Sequence, residues 1–125
     1  MFFMEEFLNV KEGLAFVDGD KDLYKILLDA YLEENKISLE DLTSLIKKKD
    51  FEGSAKTIHR TKGASYQIGA KKIGDKAQYL EDLFRGKTTP GAKDKSEEEL
   101  LGLVTDFFSD YEKCLSEAEA AIKGL

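Results

Sequence analysis

Apolar residues in this chain recur at intervals of three and four, in segments separated by short polar breaks. Proline, the residue that most often ends a helix, occurs once among 125 residues, at Pro90. Apolar positions spaced by three and four residues lie on one face of an α-helix, whereas a strand needs strict alternation, which no useful stretch shows. Amphipathic helices joined by short loops can bury their apolar faces only against one another. The sequence therefore predicts an all-α protein, folded as a helical bundle.

Residues that favour helix ends predict where the helices begin and stop. The second predicted helix carries its core face on Leu23, Ile26, Leu27, Ala30 and Tyr31, and the first contributes Leu14, Phe16 and Val17. The interval 87–95 is the only convincing loop. The predicted helices begin at Asn9, Asp20, Ser38, Asp50 or Ser54, Ala70 and Ser96, with stops near Gly19, Gly69 and Gly86.

Length and composition indicate the number of domains and the cellular compartment of this protein. Its 125 residues fit a single domain spanning 1–125. The N-terminus lacks a basic leading region and carries Glu5 and Glu6, so no signal peptide is expected, and no segment approaches the ~18 apolar residues of a membrane span. The single cysteine, Cys114, excludes an internal disulfide and fits a reducing compartment. We expect a cytoplasmic monomer without a membrane partner, and the Met1 start favours a free-standing chain over an excised domain.

The charge distribution singles out one segment. A formal net charge of −6 argues against nucleic-acid binding, which needs a basic face to neutralise phosphates. Residues 54–72 nevertheless contain five Lys and Arg residues, no acid and the only histidine, His59. A basic segment in an acidic protein indicates a site for a small anion or an acidic partner.

Within that segment His59, Lys62 and Gly63 stand at positions i, i+3 and i+4, which lie on one helix face at the margin of the predicted core. A neutral imidazole is a good nucleophile near neutral pH. A lysine one turn away can stabilise a phosphoryl dianion. A glycine inside a helix costs roughly 1 kcal/mol relative to alanine, which is understandable if a side chain there would block an approaching partner.

The stretch His59-Arg60-Thr61-Lys62-Gly63 resembles the His-x-x-Lys-Gly signature of the histidine phosphotransfer domain family. The likeness extends through Ala64-Ser65 and Ile68-Gly69-Ala70, upstream through residues 13–33 and downstream to 79–83, and it covers roughly residues 9–87. The resemblance implies an antiparallel four-helix bundle, with one or two additional short N-terminal helices, that exposes the active histidine midway along one helix.

The same resemblance assigns roles to four residues. It implies that His59 is phosphorylated on Nε2, that Lys62 stabilises the phosphoryl charge, and that Gly63 leaves room for a receiver domain. Members of the family hold the histidine Nδ1 with a Glu or Gln on the next helix, and Glu81 occupies that relative position. A carboxylate that accepts from Nδ1–H would fix the tautomer and leave Nε2 free to attack.

The resulting hypothesis is that the chain carries a phosphoryl group between proteins of a phosphorelay. His59 would accept a phosphoryl group from a receiver-domain aspartate of a hybrid histidine kinase and pass it to a response regulator. No nucleotide-binding motif is present, so autokinase activity is not expected. One histidine and a distant cysteine cannot assemble a usual metal site, and no cofactor is expected. The alternative is a non-catalytic helical adaptor that docks an acidic partner through the basic segment.

Overall fold

The computed structural model describes residues 6–33 and 36–125, which are all-helical and contain no strand. The α-helices are α1 (Val10–Phe16), α2 (Lys21–Glu33), α3 (Leu39–Lys47), α4 (Phe51–Gln67), α5 (Lys71–Phe84) and α6 (Glu97–Gly124), and a single 3-10 turn spans Ala92–Asp94. The predicted all-α class is confirmed. None of the helices in these described ranges combines the length and the apolar character that crossing a bilayer requires.

Local capping explains why the helices begin where they do. Side-chain oxygens of Asn9, Ser38 and Asp50 accept backbone N–H groups three residues on, at 3.0, 3.2 and 2.8 Å. Ser96 and Glu99 form a reciprocal capping box at the start of α6. These contacts satisfy N–H groups that have no partner within the helix. The predicted helix starts therefore agree with the structure, and Asp50, rather than Ser54, caps α4.

Helices α3 to α6 form the four-helix bundle, with α1 and α2 as the two additional N-terminal helices. Each of the four packs on the next, and α6 closes the ring by packing on α3. The three-residue connection between α4 and α5 makes this pair antiparallel, and side chains pair across it in opposite order. These pairs are His59 with Glu81, Lys62 with Gln78, and Tyr66 with Asp75.

The predicted core face of α2 is wrong in part, because the buried face is rotated by about one residue, roughly 100°. Tyr31 is buried as predicted, and Leu27 packs partly against the core. Leu23 and Ile26 are exposed, however, and Tyr24 and Leu28 are buried instead. α2 is apolar on more than one side, so periodicity does not choose between faces. The tyrosine hydroxyls do: Tyr24 donates to the Ile68 carbonyl oxygen at 2.7 Å, and the Tyr31 hydroxyl lies 2.9 Å from Ser65 Oγ.

Two smaller expectations also change. Phe16, which is predicted to belong to the core, is exposed, whereas Leu14 and Val17 are partly buried against the core. The predicted 87–95 loop contains the 3-10 turn because Asp94 accepts the Gly91 N–H at 3.2 Å and Ala92 is buried.

The turn between α4 and α5 is held against the N-terminal part of the chain. Gly69 adopts a φ of 87°, and its carbonyl oxygen accepts the Asn9 N–H at 3.0 Å. Gly13, on α1, lies so close that a Cβ there would fall 2.5 Å from Tyr24 Cε1 and nearer still to the Ile68 carbonyl oxygen. The absence of a side chain at Gly13 therefore lets α1 pack on this turn.

We predict that Gly13→Ala destabilises the protein by about 2 kcal/mol, because the backbone of Ile68 cannot move aside as a flexible side chain could. Gly102→Ala is the matched control in α6, where an added Cβ meets nothing within 4 Å, and it should stabilise by about 0.5–1 kcal/mol. Urea denaturation of both variants measures these changes. Equal effects of the two substitutions would contradict the packing argument.

Candidate functional site

His59 lies in the middle of α4 on the side that faces away from the core. The buried positions of α4 include Ile58, Thr61 and Ser65, whereas the His59 side chain is 57% exposed. The imidazole is therefore reachable from solvent, as its helical position predicts.

Glu81 of α5 holds one edge of this imidazole. His59 Nδ1 lies 3.1 Å from Glu81 Oε1 and 3.0 Å from Oε2. An ionised carboxylate only accepts hydrogen bonds, so the neutral imidazole carries its proton on Nδ1 and leaves the Nε2 lone pair unprotonated. The structure thus brings together the two residues that the resemblance paired, across 22 positions of sequence.

Two cations share the same carboxylate. Lys62 Nζ lies 2.8 Å from Glu81 Oε1, and Arg85 Nε lies 3.0 Å from Oε2. Burial opposes ionisation of Glu81, whose side chain is 8% exposed, but hydrogen bonds from Lys62, His59 and Arg85 outweigh it and lower the pKa of Glu81 to about 2. The carboxylate is therefore charged throughout the physiological range.

Lys62 also bonds to a residue that the sequence reasoning missed. Its Nζ donates to Gln78 Oε1 at 3.0 Å, and Gln78 Nε2 donates to Asp82 Oδ1 at 2.9 Å. Arg85 was missed as well. Its spacing of four residues from Glu81 on one helix is a local signal that could have found it, whereas the Lys62–Gln78 pair depends on how α4 and α5 are aligned.

Gly63 lies beside this cluster on the open face of α4. It is exposed, and a Cβ built on it would meet nothing within 4 Å. The fold therefore leaves free space here without requiring glycine for its own packing.

Three of the five basic side chains in residues 54–72 form ion pairs within the chain. Besides Lys62 and His59, which both contact Glu81, the ion pairs that involve residues 54–72 are Lys56 with Glu52 at 3.7 Å and Lys71 with Asp75 at 2.8 Å. Within the described ranges, Arg60 and Lys72 form no ion pair. The segment thus offers an acidic partner less free charge than the sequence indicates.

Metal binding and thiol chemistry are the other two possibilities for the described part of the chain. No group of three or more His, Cys, Asp or Glu side chains there is arranged to hold a metal ion. Cys114 is buried, and burial raises the pKa of its thiol to about 12, so it does not supply a thiolate nucleophile.

Comparison with known families agrees with this geometry. The family model described as Hpt domain matches residues 26–103, more than half of the chain, and this range contains the whole of α4 and α5. The chain belongs to the Hpt domain family, the histidine phosphotransfer proteins of phosphorelays. Such domains are phosphoryl carriers that interact with receiver domains, rather than enzymes in the usual sense. No curated protein and no solved structure matches the chain.

The lowered pKa of Glu81 predicts a pH-dependent contribution to stability. Because the carboxyl has a pKa of about 2 in the folded chain against an ordinary 4.5, its ionisation stabilises the fold above pH 4.5, and that stabilisation is lost as the pH falls toward 2. The difference in the free energy of unfolding between wild type and Glu81→Gln should therefore shrink by roughly 3 kcal/mol between pH 6 and pH 2. Urea unfolding across this range measures it, and a pH-independent difference would contradict the assignment.

Proposed function

We propose that His59 Nε2 accepts a phosphoryl group from an aspartyl phosphate on one receiver domain and passes it to the aspartate of a second receiver. The observation that carries this proposal is the half-exposed imidazole whose Nδ1 is hydrogen-bonded to a buried, ionised carboxylate. With the tautomer held in this way, Nε2 presents its lone pair on the solvent side of α4.

The chemistry balances without a proton transfer. The Nε2 lone pair attacks phosphorus, an N–P bond forms, and the P–O bond to the donor aspartate breaks as its electron pair leaves on the carboxylate. The imidazole keeps its proton on Nδ1 and gains positive charge, which the adjacent Glu81 carboxylate stabilises. The reverse step delivers the group to the acceptor aspartate. The metal ion needed for the transfer would belong to the receiver.

Lys62 is the charge stabiliser in this proposal. A lysine ammonium has three N–H donors, and Glu81 and Gln78 take two of them. The third is available for a phosphoryl oxygen. A charge-assisted hydrogen bond of this kind offsets the negative charge that the phosphoryl oxygens bring to the site, so it stabilises the transferring group beside His59.

The proposal has finer parts that rest on sequence. The chain, working as a cytoplasmic monomer, would not phosphorylate itself from ATP, because it has no recognisable nucleotide-binding loop. The donor would be the receiver domain of a hybrid histidine kinase, and the acceptor a response regulator. The alternative, an adaptor that docks an acidic partner, is disfavoured because Lys62 is bound to the buried Glu81 carboxylate rather than free at the surface.

The substitution His59→Gln distinguishes the phosphoryl carrier from the non-catalytic adaptor. Mixed with a radiolabelled phospho-receiver, the wild-type chain should take up label in an acid-labile, base-stable adduct, and His59→Gln should take up none, because the nucleophile is gone. Circular dichroism should show an unchanged fold, since this side chain is half-exposed. If the variant still accepts label, the carrier proposal fails. If wild type takes no label and both proteins bind an acidic partner equally well, the adaptor is the better account.

The open space at Gly63 gives a second prediction. Gly63→Gln should keep or slightly raise stability, since nothing lies within 4 Å of the added Cβ and glutamine favours helix over glycine by roughly 0.5–1 kcal/mol. It should nevertheless slow transfer at limiting receiver concentration by about tenfold or more, because the side chain blocks close approach. Gly102→Gln on α6 is the matched control and should transfer normally. Wild-type kinetics for Gly63→Gln would show that this space is not used.

A further inference from the structure

We propose that Gln78 is a positioning residue for the Lys62 ammonium, an inference that rests on the phosphotransfer function proposed for His59. Gln78 forms no hydrogen bond with the imidazole, whose Nδ1 is bound by Glu81. It acts on the site through Lys62, whose Nζ it holds at 3.0 Å from its carbonyl oxygen.

Lys62 is unusually restrained for a lysine near a protein surface. Its side chain is 17% exposed and lies between α4 and α5, where it contacts Glu81 Oε1 at 2.8 Å and Gln78 Oε1 at 3.0 Å. A lysine side chain has a flexible four-carbon stem, and one acceptor alone would let the ammonium swing about a single contact. Two acceptors one turn apart on α5 fix its position along the helix as well as its distance from it.

The orientation of the Gln78 amide is set by Asp82. Gln78 Nε2 donates to Asp82 Oδ1 at 2.9 Å. An ionised carboxylate can only accept, so the amide must turn its NH₂ group to Asp82 and its carbonyl oxygen to Lys62. The opposite orientation would place NH₂ donors against the ammonium donors and an oxygen against the carboxylate. Asp82 therefore selects the amide orientation that binds Lys62.

The second acceptor matters because Glu81 is already shared. Its two oxygens serve His59, Lys62 and Arg85 together. When a negatively charged phosphoryl group is transferred at His59, Lys62 must interact with that group without losing its position. Gln78 supplies a neutral acceptor that holds the ammonium without cancelling its charge, which is the arrangement that preorganised charge stabilisation requires.

A double-mutant cycle tests the proposal. Gln78→Met keeps the side-chain length but removes the acceptor, so it should lower the rate constant for transfer from a saturating phospho-receiver by about tenfold. In the Lys62→Ala background the same change should have no further effect, because Gln78 acts only through Lys62. Asp82→Ala should slow transfer in the same direction, since the amide is then free to rotate. An equal effect of Gln78→Met in both backgrounds, or no effect in wild type, would overturn the proposal.

A second measurement needs no phosphoryl group. In the NMR spectrum of the ¹⁵N-labelled protein, the Lys62 ammonium should be ordered in wild type and in Gln67→Met, which alters the other, exposed glutamine. It should become mobile in Gln78→Met. An equally ordered Lys62 ammonium in Gln78→Met would overturn the positioning role. If wild type takes up no label, the proposed function fails, and this measurement still decides whether Gln78 holds Lys62.

Discussion

One buried carboxylate, that of Glu81, connects the elements of this protein's candidate site. Removing a carboxylate from water is unfavourable unless donors replace the lost hydration, and here His59, Lys62 and Arg85 do so from two helices. Their hydrogen bonds outweigh the burial and keep Glu81 ionised. The same contacts join α4 to α5 and hold the proton on His59 Nδ1. Stability and proposed reactivity thus depend on one charge.

That charge is useful only because α4 and α5 are aligned in one register. The pairs His59–Glu81, Lys62–Gln78 and Tyr66–Asp75 follow one another along the antiparallel helices. Tyr66 also lies against Gly74, where a Cβ would fall 2.5 Å from its ring. A shift of one helical turn would break all of these contacts together. The short turn at Gly69, held by Asn9 and covered by α1, limits such a shift.

The helix α2 shows where sequence periodicity fails. Leu23, Ile26 and Leu27 lie on one side of this helix and Tyr24, Leu28 and Tyr31 on another, and both sets contain apolar pairs three and four residues apart. The spacing of apolar residues therefore does not distinguish the two faces of α2. Only the second face carries hydroxyls that bond to Ile68 and Ser65 in the core. The choice depends on partners that lie about forty residues away, which no local window contains. By contrast, the apolar residues of α5 recur at three and four residues on one face, and Ile73, Ala77, Leu80 and Phe84 are all buried.

Two features could be predicted from sequence because they are local. A helix start depends on a capping side chain that bonds to an N–H three residues on. His59, Lys62 and Gly63 share one helix face because positions i, i+3 and i+4 do so whatever surrounds the helix. Glu81 was reachable only through resemblance to a family. Gln78, Asp82 and Arg85 were not found, and no motif marks the first two. Arg85 bonds to Glu81, and Gln78 to Asp82, over a local spacing of four residues. The contact of Gln78 with Lys62 depends instead on the register between α4 and α5, which side-chain packing across the whole bundle decides. Sequence by itself determined the helices and the proposed nucleophile, His59, and tertiary structure decided which charges and amides surround it.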